Sequence, residues 1–139
     1  MSPARTGLIL VDSSVWIECY HPKGQESLKR RLQEELVQGT VATIGLIAVE
    51  VLQGAPSNDA LVALQEDFLG LHWLEVTRDL WLKAAHLGAT LRQRGTSIPA
   101  TDIVIAATAL HYHAQLWHRD KDFTRFSRHV PAFHATFCS

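Results

Sequence analysis

Two kinds of hydrophobic pattern alternate along this chain. Short, largely apolar runs occur at "LILV" (8–11), "TVAT" (40–43), "LHWLEV" (71–76) and "AQLWH" (114–118). Their length and their β-branched and aromatic content predict strands, and the unbroken apolar character of the first predicts burial on both faces. Longer segments with helical spacing lie between them. In "ESLKRRLQEELVQG", Leu28, Leu32 and Leu36 recur every four residues among charges, and Gly39 supplies a stop, which predicts an amphipathic helix. "IGLIAVEVLQGA" is apolar almost all round and predicts a buried helix ending at Gly54 and Pro56. "NDALVALQEDFLG" (58–70) predicts a helix capped by Asn58 or Asp59. "RDLWLKAAHLGATLRQRG" is helical up to Gly95. "SIPATDIVIAATALHYHA" predicts a helix whose start is marked by Ser97, Pro99 and Thr101, with Ala106, Ala107 and Ala109 small enough to lie close against a sheet. "RDKDFTRFS" reads as a turn into a short helix, and "AFHATF" as a last edge strand.

Strands alternating with helices predict an α/β sandwich with a mostly parallel central sheet. A chain of 139 residues suits a single domain, 1–139, with a full core. A hydrophobic fraction of 47% with 19% charged residues describes a compact globule rather than a disordered chain. The formal net charge of −1 gives no global positive field, so any nucleic acid would have to be met by a local patch. Cys19 and Cys138 lie far apart without CxxC spacing, which predicts a reducing, cytoplasmic setting rather than a disulfide framework. The first ten residues lack the apolar core of a signal peptide, and no apolar run approaches the roughly 18 residues of a membrane helix. The expectation is a soluble protein with no membrane partner.

The chemistry is suggested by where the acids fall. Glu26, Glu34, Glu35, Glu66 and Asp67 belong to wet helix faces, but four others do not. Asp12 ends the first strand, where open α/β sheets place their ligands; a turn or helix-capping role competes with a site role. Glu50 sits in the apolar "IAVEVL", where an ionised carboxylate costs several kcal/mol unless paired or bound to a cation. Asp102 lies in the first turn of an apolar helix, where the helix dipole favours it by roughly 0.3–1 kcal/mol. Asp120 repeats the position of Asp12 after a second strand, and Asp122 is placed to cap the helix that follows. Gathered at one sheet edge, bare carboxylates about 4 Å apart would repel by roughly 4 kcal/mol per pair at an effective dielectric of 20. A divalent cation removes that penalty, and an all-oxygen donor set suits Mg²⁺ or Mn²⁺. A hard ion with open positions is also what phosphodiester hydrolysis uses. Ser13 or Ser14 could hydrogen-bond an acid or a water. "HYH" (111–113) with His118 has no familiar zinc spacing. Trp16 and Trp81 are candidates for a dimer surface.

The order "LILVDSSVWI", "AVEVLQG", "IPATDIVIAATAL", "LWHRDKDF" resembles the PIN-domain ribonucleases, and among them the VapC toxins of toxin–antitoxin modules. The resemblance runs from near the N-terminus to about residue 126. It implies a flavodoxin-like α/β/α fold and a Mg²⁺-dependent endoribonuclease, with Mn²⁺ as a substitute ion, that cuts RNA with a metal-activated water. It also implies a homodimer and an antitoxin partner whose basic residue enters the acidic site. Asp12, Glu50, Asp102 and Asp120 match the four family acids, and Asp122 is placed to share or take over the role of Asp120. His118 departs from the Thr or Ser usual in the family. Arg119, Lys121, Arg125 and Arg128 could steer RNA phosphates toward the metal, with Arg92 and Arg94 as further contacts. The competing functions are another metal-dependent phosphohydrolase and a non-catalytic binding module. A haloacid-dehalogenase-like phosphatase would want an aspartate where Ser14 stands, and a receiver domain would want paired acids near the N-terminus that are absent.

Overall fold

The computed structural model describes residues 7–139; the first six residues of the expected domain lie outside the described residues. In chain order the elements are β1 (Ile9–Val11), α1 (Ser13–Tyr20), α2 (Glu26–Gln38), β2 (Val41–Thr43), α3 (Gly45–Leu52) and α4 (Asn58–Leu69). They continue with β3 (His72–Trp73), α5 (Arg78–Gln93), α6 (Ala100–His111), β4 (Gln115–His118), α7 (Lys121–Ser127) and β5 (Ala135–Phe137). The five strands form one sheet of order β3-β2-β1-β4-β5, and every pairing is parallel. Central position explains composition: all three residues of β1 are buried, as are Leu116, Trp117 and His118 of β4.

Parallel neighbours need crossovers, and crossovers of one hand place helices on a face set by the direction of travel. The chain moves outward from β1 through β2 to β3, then returns past β1 to β4 and β5. Accordingly α1 packs against α2 and α3, and α3 against α4, while α5 packs against α6 and α6 against α7. The direction reverses between β1 and β4. That switch point is where the carboxyl ends of a parallel sheet open a crevice.

Local chemistry accounts for most boundaries. Leu28 and Leu32 anchor α2 in the core, and Gly39, at φ 73°, ends it by donating to the Glu35 and Leu36 carbonyls. In α6, seven consecutive residues from Ile103 to Ala109 are buried, so the three alanines do lie in the interior. The buried Thr108 hydroxyl satisfies itself by donating to the Val104 carbonyl at 2.7 Å.

Several expectations are corrected. After β1 the helix α1, which the pattern did not mark, begins at once, and Asp12 takes the helix-capping role left open for it. Asp122 does not cap α7; Asp120 does, accepting the Asp122 amide. The cap of α4 is Ser57, whose extended backbone lets its hydroxyl accept the Ala60 amide at 3.1 Å, while Asn58 and Asp59 fall inside the first turn. α3 is not buried all round, because Val49 is 60% exposed. The strand expected over 71–76 shrinks to the exposed edge pair His72–Trp73. Trp16 is no dimer-surface residue: it is 1% exposed, its Nε1 donates to the Val11 carbonyl, and it packs on Phe68 at 4.9 Å between ring centres. Trp81 is 45% exposed.

The cap assignment is testable in denaturant. Ser57→Ala should lower stability by about 1 kcal/mol, whereas Asn58→Ala should change it by less than about 0.5 kcal/mol. Urea midpoints at constant slope read the difference.

Candidate active site

The carboxyl ends of β1 and β4 are tied together by backbone and by one serine. The Asp12 amide donates to the Trp117 carbonyl at 2.9 Å. Asp12 then turns the chain into α1, its Oδ2 accepting both the Ser14 amide at 3.1 Å and the Ser14 hydroxyl at 2.5 Å. The same hydroxyl accepts the Arg119 amide at 2.9 Å, from the segment that leaves β4. Asp12 is therefore a helix cap and also a buried carboxylate at the switch point, 4% exposed. Burial is the main cause that raises its pKa; the charge of Asp120 adds to it and the Ser14 hydrogen bonds oppose it.

Three further acids converge here. Asp102 arrives on the first turn of α6, Asp120 as the N-cap of α7 and Asp122 in the first turn of α7. One carboxylate oxygen from each lies within 4.8 Å of the other two. Asp120 Oδ1 accepts the Asp122 amide at 2.9 Å, and Asp122 Oδ1 accepts from the Arg125 guanidinium at 3.0 Å. Asp102 suffers most: burial, followed by the charges of Asp120, Asp12 and Asp122, pushes its pKa up to about 8.

Glu50 reaches the site by a different route. The Ser13 hydroxyl donates to its Oε2 at 3.0 Å, linking α3 to the start of α1. Its Oε1 is buried and, among the described residues, receives no hydrogen bond. A buried oxygen without a donor is costly, as are carboxylates crowded against each other. Both costs are removed by one kind of ligand, a hard cation accepting oxygen donors, so the side chains present fit a divalent ion.

The four acids singled out in the sequence thus reach one region, but not in equal standing. Asp102 and Asp120 are in the tight group, Asp12 acts on both through its charge, and Glu50 is held through Ser13. Asp122 stands beside Asp120 rather than in its place. Ser13 and Ser14 each hold an acid. The basic residues are less free than their spacing suggested: Arg119 donates to the Cys138 carbonyl at 2.6 Å, and Arg125 pairs with Asp122. Lys121 and Arg128 are exposed. Arg92 lines a largely apolar groove of about 620 Å³ with Trp81, Ala84, Ile98 and Ile103, and none of the acids is among its lining residues.

Comparison with known proteins gives this geometry a family. The PIN domain profile matches residues 9–129. The chain belongs to the PIN-domain family. Its PIN domain is 31% identical over 126 residues to VapC ribonuclease Mb1587 of Mycobacterium bovis, covering 87% of this chain and 92% of that protein. Among solved structures, VapBC2 from Rickettsia felis, bound to a DNA fragment from its promoter, superposes with a TM-score of 0.76 at 18% identity. That match covers 95% of this chain and 99% of the other. VapC20 of Mycobacterium tuberculosis, described as a sarcin-ricin loop cleaving toxin, superposes with a TM-score of 0.68 at 20% identity over 85% of this chain and 94% of its own. The relationship places the chain among VapC-type PIN-domain ribonucleases, and the all-parallel five-stranded sheet agrees with that fold.

Asp102 makes the electrostatic strain measurable. Its folded pKa of about 8 lies well above the ordinary carboxylate value of 3.8, so without divalent cations its contribution to stability is fully present below about pH 4 and is lost as pH rises through about 8. Denaturation in EDTA should therefore show stability falling across that window. Asp102→Asn should flatten the slope, and Mg²⁺ should restore stability at pH 8 far more than at pH 5, since binding requires the ionised carboxylate.

Proposed function

We propose that this PIN domain is a Mg²⁺-dependent endoribonuclease, with Mn²⁺ able to substitute, and that it acts as the toxin of a toxin–antitoxin pair. The observation that carries the reading is the convergence of Asp102, Asp120 and Asp122 within 4.8 Å at the switch point, beside buried Asp12. Asp12, Asp102 and Asp120 hold the ion, with Asp122 beside them and Glu50 contributing its free Oε1. When bound, the ion supplies Lewis acidity toward a phosphoryl oxygen and toward water.

The chain's own groups do the rest. Hydrolysis by water needs no side-chain nucleophile, and the two serines serve to hold acids: the Ser13 hydroxyl donates to Glu50 and the Ser14 hydroxyl to Asp12. Ser14 fixes the Asp12 rotamer, and its second bond, from the Arg119 amide, sets the distance between the two strand ends. Asp102, Asp120 and Asp122 are each only partly buried, which leaves the acids open to a large substrate. Exposed Lys121, next to Asp120, and Arg128 are the side chains free to meet RNA phosphates.

Kinship with VapC ribonucleases, one of them a toxin that cleaves the sarcin-ricin loop, supports structured RNA as the substrate class. Neighbours solved as toxin–antitoxin complexes support an antitoxin partner for this chain. An antitoxin arginine or lysine paired with the carboxylates would inhibit by taking the cation's place. A homodimer in the cytoplasm completes the proposal. Among the described residues no helix is long and apolar enough to cross a membrane.

Cleavage of labelled structured RNAs, tRNAs and a sarcin-ricin hairpin included, is the direct test. Wild-type protein should cut in Mg²⁺ and stop in EDTA. Asp12→Asn and Asp102→Asn should each lose about 100-fold or more in rate. Folded, antitoxin-free protein that binds neither Mg²⁺ nor Mn²⁺ and cuts nothing would favour the binding-module reading. Hydrolysis of a small phosphomonoester without RNA cleavage would favour a different phosphohydrolase.

A further inference from the structure

His118 stands two residues before Asp120, and its ring is bound to that residue's backbone. His118 is the last residue of β4 and 2% exposed. Its Nδ1 accepts the Asp120 amide at 3.2 Å, a side-chain-to-backbone bond two residues along. Asp120 makes the same bond one step on, Oδ1 accepting the Asp122 amide at 2.9 Å. The two bonds run in series, so the direction of the first helps to set the aim of both carboxylates. The ring has little freedom to wander: it packs on Phe123 at 5.1 Å and edge-on to Phe137 at 5.6 Å. The His118 carbonyl accepts the Cys138 amide at 2.7 Å, anchoring its backbone to the strand beside it.

An imidazole that accepts at Nδ1 must carry its proton on Nε2. A histidine kept only for bulk would need no acceptor pointed at a backbone amide.

We propose that His118 is a positioning residue for the cation site: through its Nδ1 it orients Asp120, and through Asp120 it orients Asp122. This rests on the reading of the acids as a divalent-ion site, and it concerns how that site is aimed, not whether it exists. Ligand-orienting groups of this kind typically change metal affinity or activity by about 10–100-fold when removed.

Two variants separate aiming from filling. In His118→Asn the Oδ1 stands two bonds from Cβ, as Nδ1 does, and can accept the Asp120 amide. In His118→Leu the apolar bulk remains without an acceptor. Leucine is close to histidine in volume and asparagine is clearly smaller, so thermal denaturation in EDTA should show both variants still folded, with the larger loss in His118→Asn. Mn²⁺ binding, read by the EPR signal of the free ion, should weaken about tenfold in His118→Leu and return to within about threefold of wild type in His118→Asn. RNA cleavage should follow the same order, with kcat changing and KM shifting less than about twofold. If wild-type protein binds Mn²⁺ and both variants bind it equally well, or equally badly, His118 only fills space and the inference is overturned. If wild-type protein binds no Mn²⁺, the proposed function fails first and takes this inference with it.

Discussion

Carboxylates drawn within 4.8 Å of one another in a half-buried crevice repel, and much of the structure around them can be understood as what prevents their separation. None of the acids hangs from a flexible loop. Asp12 and Asp120 each cap a helix, and Asp102 and Asp122 each occupy a first turn, so partial positive charge from three helix N-termini is aimed at the cluster. That compensation is incomplete. Asp102 still sits at a pKa of about 8 and Asp12 is still raised. The remaining electrostatic cost is the site's capacity to discriminate between an ion and nothing.

Capping and a site role, which the sequence presents as alternatives for Asp12, are compatible in one arrangement. Oδ2 serves both the Ser14 amide and the Ser14 hydroxyl, and that hydroxyl accepts from Arg119 across the switch point. A cap restricts the aspartate rotamer because the chain must start a helix there. The same restriction makes the carboxylate a pre-aimed donor. Asp120 repeats the logic on β4, with His118 adding a second restraint behind it.

The fold was largely legible because its strongest signals are physical. A strand buried on both faces must be apolar throughout, as Leu10 and Val11 are at 0% exposed, and a glycine in the left-handed region must end a helix such as α2. What escaped the pattern was set by tertiary context. α1 was hidden because Val15 and Ile17 continue the β-branched character of β1, and only the serine pair after Asp12 marks the change. β3 was overextended because its edge place in the sheet limits pairing to Ala42 and Thr43, which periodicity cannot reveal. At the site, spacing identified the acids but not their partners. The alternation His118, Asp120, Asp122 and the pair Asp12, Ser14 carry a two-residue period typical of side chains that accept from backbone amides. Neither the long-range bond from Ser13 to Glu50 nor the one from Arg119 to Ser14 has any sequence signature, because each joins segments dozens of residues apart.

The treatment of the basic residues follows from the same electrostatics. A chain of net charge −1 that gathers acids at one crevice presents a polyanion with a repulsive entrance. Arg119 and Arg125 would seem the natural remedy, yet both are committed, one to the Cys138 carbonyl and the other to Asp122. Arginines free to swing into the crevice would neutralise the carboxylates themselves and compete with a cation for the same oxygens. Arg119, held on the Cys138 carbonyl, leaves the acids alone, whereas Arg125 already engages one oxygen of Asp122. On the proposed function, attraction for RNA would fall to the ion and to exposed groups such as Lys121 and Arg128. A bound cation would then remove the repulsion between the acids and a polyanion, and so would bear on access as well as on chemistry.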